Sequence, residues 1–561
     1  MFFYAAFAVA VCSGLALAIL FAADHTMRVP TVGGTYTEAM LGSPRFINPI
    51  LAPANDADRD LVKLVYSGLM RYDNDGALVP DLAESYTVST DSRVFTFQLK
   101  TGVTWHDGAE LTVDDVAFTV RLLQSADYQS PLRFAWQGVR VEKTGDRIIA
   151  FTLASPYTPF LGLTTVGIMP RHVWQDVLPQ AFAISDFNLQ PVGSGPFKFH
   201  SMERDRGGII TAMTLQRNEQ FYRHSPYLEE VVLRFYETRE DAQTAVTEGV
   251  AEGIAGDFAI TLPEYEDRKL RRSHTLQLPR IFAIFFNQIQ STILAQKAVR
   301  EALDYATDRV TLIQKAYDGV AEELYGPLPS SVLGYSLEIV RRNYDPQKAA
   351  SLLEQSGWRL QEDGARVFTE RKKTEQAVDG KKTTVETTVT TTLEFSLLTA
   401  NVTELEQIAA LIKSQWEAVG VRVNIEIAGV ADIQGERVRP RLFDAVLFGQ
   451  VYGLDPDPYA FWHSSQRRDP GLNLAQYANP KVDRIMEEIR QAPDAAIRVA
   501  RLGELQKAIT EDIPAIFLAS PQYNYHLPTK ILNMHTRVIA NPSERFGGVT
   551  EWYMKTKRVW R

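Results

Sequence analysis

The chain has 561 residues, 45% hydrophobic, 10% aromatic and 23% charged, a globular balance that excludes a disordered or fibrous protein. That length exceeds what one hydrophobic core usually holds, so two or three domains are expected. A formal net charge of -9 argues against nucleic acid as the main partner, and the single cysteine, Cys12, leaves the rest of the chain no disulfide, zinc ribbon or thiol nucleophile.

Cys12 lies within Met1 to Ala23, a run with no charged side chain that Asp24 closes. Roughly 20 apolar residues cover a bilayer core. The favoured reading is an uncleaved transmembrane anchor. No Lys or Arg precedes Arg28, bulky residues stand before any cut near Phe21-Ala22-Ala23, and Val11 occupies the place where a lipoprotein needs a small residue. A cleaved signal is the alternative. Val29 to Gly34 then reads as a linker, Thr35 to Met40 as a first strand, and Asp60 to Tyr72 as a segment with Leu61, Leu64, Val65 and Leu69 at helical spacing.

Phe95, Phe97 and Leu99 alternate with polar residues, which predicts a half-buried strand. Asp107-Gly108 marks a turn. Thr112 with Asp115 forms a capping-box pattern ahead of Val113, Val116, Ala117, Val120 and Leu123 on one helical face. From Gly193 the chain reads mostly as strands, at Thr211 to Leu215 and Val231 to Tyr236. One long helix is predicted over Gln296 to Tyr317, with Val299, Leu303, Ala306, Val310 and Ile313 forming its apolar stripe. The next is delimited by Asp345 as cap, Pro346 at its first position and Gly357 after its end. Arg366 to Leu398, rich in Lys, Glu and Thr around Asp379-Gly380, predicts a long exposed β-hairpin, either a solvated ornament or a partner surface. Beyond it come a helix from Glu404 to Val419, a strand from Val421 to Ile427, a fully buried strand from Phe443 to Phe448, and a helix from Arg498 to Glu511 followed by the apolar run Ala515 to Leu518. This alternation argues for α/β architecture. The basic end, Lys555 to Arg561, reads as a solvated terminus.

Few residues offer chemistry. Gly193-Ser194-Gly195 matches neither a nucleophile elbow nor a phosphate loop and reads as a turn. His106-Asp107 has no second histidine at ligand spacing, so a structural role is expected. Asp455-Pro-Asp457-Pro-Tyr459 is the most informative cluster. Its carboxylates suit ligand contact, an ordinary Asp-Pro loop or, remotely, acid/base or metal work. Tyr452, Tyr459, Phe461 and Trp462 nearby suit either ligand walls or core.

Pro80 to Tyr86, Phe95 to Gly108, Leu111 to Phe118, Gly193 to Phe199, Ala298 to Arg309, Asn343 through Trp358, and Asp455 to Tyr459 together resemble the family 5 solute-binding proteins. These are the oligopeptide-, dipeptide- and nickel-binding components of ABC importers. The resemblance covers essentially everything after the anchor. It implies a periplasmic-binding-protein-like type II fold, two hinged lobes with an extra inserted domain. Domain I would comprise 30–70, 191–280 and 521–561, domain II 71–190, and domain III 281–520 with the hairpin 366–398 inserted; strands near Arg280 and Ser520 would form the hinge. It implies a monomer outside the cell membrane that closes on a peptide or similar solute and delivers it to a permease and ATPase complex, with no cofactor, metal or catalysis. Ligand-binding positions carried over are Tyr36, Glu38, Asn287, Tyr452, Asp455, Asp457 and Trp462. One departure stands out: amine-gripping members use an aspartate where this chain has Tyr452. Alternatives are a non-peptide solute on the same scaffold, a hydrolase using Asp455 and Asp457, and a surface role for the hairpin.

Overall fold

A computed structural model of the chain describes residues 25–256, 271–378, 381–429, 432–492 and 494–560, together with Tyr4, Phe7 and Ser13. Most of the apolar stretch read as an anchor, and Asp379-Gly380 at the hairpin tip, lie outside the described residues. No described helix is long and apolar enough to cross a membrane.

Two large mixed sheets and a smaller antiparallel one organise the molecule. The first sheet has seven strands, in spatial order Arg271–Leu276, Tyr523–Pro528, Gly253–Gly256, Thr35–Leu41, Glu230–Tyr236, Ile210–Arg217 and Phe197–Arg204. Its strands come from three separate stretches of chain, so the chain leaves this body twice and returns. Tyr36 closes its core and requires Gly253 opposite: a Cβ there would lie 1.9 Å from the Tyr36 hydroxyl. The first excursion builds a four-stranded sheet, ordered Ala83–Val88, Val94–Leu99, Ile148–Thr152, Arg140–Gly145, under the helix Val113–Gln124. Val94–Leu99 alternates buried and half-buried residues, and the Thr112/Asp115 capping box is present. This insert has its own core of Phe95, Phe97, Phe151, Phe160 and Trp136.

The second excursion builds a six-stranded sheet, ordered Ala321–Glu323, Ala515–Pro521, Arg280–Phe286, Ala445–Val451, Glu394–Ala400 and Arg422–Ala428. The chain enters this body through Gln277 to Pro279 and leaves it through Gln522. On either side of these crossings the strands pair antiparallel: Leu276 with Tyr523 in the first sheet, Phe282 with Ala519 in the second. The Ser520 hydroxyl donates to the Arg280 carbonyl at 2.7 Å and ties the two crossings together. Such adjacent, short connections are where two packed bodies can rotate with few backbone changes.

Several local expectations need correction. The single helix predicted over Gln296 to Tyr317 is two, Lys297–Tyr305 and Arg309–Ala316. Asp308 interrupts it by accepting the Thr311 N–H as an N-cap, and Val310 is exposed rather than part of an apolar stripe. The first helix is Asp56–Val65, ending before Leu69, because the Tyr66 backbone turns extended. The linker and the solvated terminus are in fact partners: Thr26–Thr31 pairs antiparallel with Lys555–Trp560. The helix Pro346–Gln355 has Asp345 as its cap, and Gly357 follows it with φ +89°. The strands Arg366–Val378 and Lys381–Thr392 pair along their length and join a three-stranded sheet separate from the six-stranded one.

Gly193-Ser194-Gly195 is a packing turn. A Cβ on Gly193 would sit 1.9 Å from the Val65 carbonyl, and the Gly195 N–H donates to that same oxygen at 2.7 Å. His106 clamps the turn from the insert. Its Nδ1 accepts the Gly193 N–H at 3.2 Å, and Nε2 lies 3.1 Å from the Gly195 carbonyl. Burial lowers the His106 pKa to about 4, so the ring is neutral, as an accepting Nδ1 requires.

Candidate functional site

Two cavities meet where the three bodies converge. The first, of about 290 Å³, lies at the crossings; its wall includes Glu38, Arg59, Asp60, Arg280, Val451 and Arg545. The second, of about 340 Å³, lies between the helix Asp56–Val65, the insert at Gly162 to Gly167, and the segment from Asn541 to Val549. Arg59 and Asn541 belong to both walls, so the two volumes adjoin. Their lining mixes apolar groups with a few charged ones, as small-solute sites do.

The wall of the first cavity is built on a buried ionic cluster. Glu38 points inward from the strand Thr35–Leu41 and is 0% exposed. Arg545 donates to its Oε1 from Nε at 2.9 Å and from Nη2 at 2.7 Å. The same guanidinium reaches Asp60, from Nη1 at 2.8 Å and Nη2 at 2.6 Å. Glu38 Oε2 accepts the hydroxyls of Tyr36 at 2.8 Å and Tyr525 at 2.6 Å. Burial works against the charge of Arg545, but Asp60 and Glu38 hold its pKa well above the ordinary value. Burial, then the charge of Glu38, raises both tyrosine pKa values, so both remain donors. With every oxygen paired, the cluster holds two carboxylates at the cavity wall in fixed positions.

Of the seven residues singled out from the sequence, Glu38 alone lies in that wall. Tyr36 is beneath it, fully buried. Asn287 ends the strand Arg280–Phe286: its side chain donates to the Arg441 carbonyl at 3.0 Å and accepts the N–H groups of Ile289 and Gln290. That is a structural turn. Tyr452 and Trp462 are core, because the Trp462 indole N–H donates to the Tyr452 hydroxyl at 3.0 Å while its ring packs against Phe285 and Phe517. Tyr452, where the resemblance led to the expectation of an aspartate, is therefore a buried aromatic position.

Asp455 and Asp457 are already paired. Arg498 meets both oxygens of Asp455, donating from Nη1 at 2.8 Å and making a second contact from Nη2. Arg490 donates from Nε to both oxygens of Asp457, at 3.0 and 3.1 Å. Each acid thus faces an arginine of its own body. They pin their own loop to the helices Pro480–Gln491 and Ala495–Asp512. Arg490 also stacks over Tyr459 at 3.7 Å and over Tyr157 of the insert at 5.3 Å. Next to this loop, Leu454 rests on Gly76, where a Cβ would be 3.0 Å away. The loop is thus the seam between the six-stranded body and the insert. Among the described residues no group of three or more His, Cys, Asp or Glu side chains is placed to hold a metal ion.

Sequence reasoning missed Arg59, Asp60, Arg280 and Arg545. Glu38 and Arg545 are 507 positions apart, and no local pattern links them.

Residues 77–471 match the family described as bacterial extracellular solute-binding proteins, family 5, middle region. The chain belongs to that family. The oligopeptide-binding protein AppA of Bacillus subtilis is 28% identical over 517 residues, covering 90% of this chain and 89% of the relative. Its solved structure, in complex with a nonapeptide, superposes with a TM-score of 0.72 at 26% identity, covering 94% of this chain and all of that one (100%). The substrate-binding protein CtaP of Listeria monocytogenes shares the fold, with a TM-score of 0.76 at 24% identity over 93% of this chain and 100% of its own. The fold is therefore the mixed α/β periplasmic-binding-protein-like one. The family is one of solute binders that work outside the cytoplasm.

Proposed function

We propose that the chain captures peptides outside the cell membrane by closing two lobes around them, and presents the closed form to an ABC permease. The observation that carries this is the pair of adjoining cavities beside two adjacent chain crossings, in a family whose Bacillus member binds oligopeptides. On this reading the first lobe comprises 30–70, 191–280 and 521–561, with 71–190 inserted in it, and 281–520 forms the second. Met1 to Ala23 would hold the chain at the membrane face.

The mechanism is physical. A guest that touches both lobes makes more contacts in the closed form, so it shifts the hinge equilibrium toward closure. Moving a population from 1:99 to 99:1 takes about 5.5 kcal/mol of differential affinity. Several backbone hydrogen bonds, each worth about 1 kcal/mol net, supply this together with apolar burial. The guest leaves unaltered, a reading supported by the pairing of Asp455 and Asp457 with arginines.

Mass spectrometry of small molecules released by denaturing the purified chain tests the reading. A reproducible set of short peptides is expected. A sugar or metal chelate in their place, or cleavage of an added peptide that Asp455→Asn abolishes, would overturn it.

A further inference from the structure

The second cavity has an electrically unbalanced wall. Arg71 and Arg223 both line it, and both turn to one carboxylate: Nε of Arg223 lies 3.3 Å, and Nε of Arg71 4.0 Å, from Oδ1 of Asp81. That oxygen already accepts the Tyr222 hydroxyl at 2.7 Å. Behind it Lys100 brings a third cation, its ammonium held by the carbonyls of Asp81 and Ala83. The other charges lining this cavity have partners of their own. Lys63 meets Glu544 at 2.7 Å, and Arg59 meets Asp56.

Asp81 is therefore the carboxylate facing both guanidiniums, while Asp73 and Glu84 add further negative charge near Arg71 and Lys100. Burial lowers the pKa of Arg71 and of Lys100, and the nearby Arg223 charge lowers both further. Both Nε atoms are buried without a hydrogen bond, and the two arginine side chains as a whole are 27% and 24% exposed. Arg71 spends one donor on the Tyr72 carbonyl at 3.3 Å. Arg223 is held by Asp81 and by the face of Phe221 at 5.1 Å.

We infer that this cavity receives a carboxylate of the captured guest against Arg71 and Arg223, which makes the preferred guest one that carries a free carboxylate. The inference rests on the peptide-capture reading and names its substrate class. A carboxylate entering here gains charge-assisted, fork-shaped hydrogen bonds from guanidiniums that are partly dehydrated. It also offsets the mutual repulsion of three cations. A neutral guest would cover the same surplus charge without compensating it, at a desolvation cost. The carboxylate comes from an acidic side chain or from the peptide's own C-terminus.

Incubating the full chain with a randomised pentapeptide library, once with free C-termini and once amidated, then sequencing the retained peptides by mass spectrometry, tests this. Asp and Glu enriched in the amidated pool identify a side chain as the source. Retention of the free pool alone identifies the C-terminus. In either case the Arg71→Gln/Arg223→Gln variant is expected to lose the preference by about tenfold or more, the worth of one such charged contact. Arg223→Lys, which keeps the charge, is expected to retain most of it, and thermal melts confirm that both variants fold. Peptides retained without acidic or free-carboxylate preference, or a preference unchanged in the double variant, would overturn the inference while leaving peptide capture standing. Retention of nothing from either pool by the wild type would remove peptide capture itself, and this inference with it.

Discussion

Two arginine–carboxylate clusters, one in the wall of the candidate site and one at the seam with the insert, differ in their setting. Glu38, Asp60 and Arg545 belong to one body, are at most 5% exposed as side chains, and leave no oxygen unpaired. Asp457 and Arg490 are 15% and 29% exposed, and Arg490 lies against the insert as well as its own body. The first cluster fixes a wall inside one body, whereas the second fixes a loop whose outer face meets the insert through Arg490 and Tyr157. Electrostatic pairs of the same chemistry thus hold a buried wall in one place and a loop at the seam between bodies in the other.

The largest effect that would break this comparison is at Arg545. Arg545→Met leaves Glu38 and Asp60 buried without a counter-charge, and a loss on the order of 3–5 kcal/mol in denaturant unfolding is expected. A loss well below that would mean the wall is not held by charge.

Acidification comes next. His106 and His526 are held neutral by burial, with pKa values lowered to about 4 in each case. Their stabilising contribution is complete above the unfolded pKa of about 6.5 and is lost as pH falls through that value toward about 4. Asp58 opposes this, because burial raises its pKa to about 6, so its contribution grows as pH falls below 6. With two histidines against one carboxyl, a net loss on the order of 1–3 kcal/mol is expected between pH 6.5 and 4, read as a falling melting temperature. A flat profile would contradict the buried setting of His106.

At the seam the effect is smaller. Arg490→Ala removes a partly exposed ion pair and its stacking, and about 1 kcal/mol of stability is expected to go. A loss as large as that at Arg545 would erase the distinction between wall and seam. Smallest of all, replacing residues 370–389 by a tight turn keeps Phe368 against Trp358 and is expected to move the melting temperature by no more than about 2 °C.

Local chemistry made much of the fold readable. The capping box before Val113, the Asp345 cap and the alternation at Phe95, Phe97 and Leu99 each bring their partners within a few residues. The break at Asp308 was hidden because apolar spacing continues through it, while the cap that decides the matter is a single side-chain hydrogen bond. The site was less legible. Acids and aromatics in the Asp455 to Trp462 stretch look like ligand groups until the arginines that take them, Arg490 and Arg498, are brought in by helices further along the chain. Arg545 is 485 positions from Asp60, and only the return of the chain to its first sheet brings them together.

Closure itself is best measured by fluorescence energy transfer between dyes at Arg206→Cys and Ser414→Cys, in a Cys12→Ser background that leaves no other thiol. These exposed positions lie in the two large bodies. Adding the free-carboxylate pentapeptide pool is predicted to shift the population to a single, shorter distance. An unchanged distance distribution, at peptide concentrations where mass spectrometry shows the chain to be loaded, would contradict capture by closure.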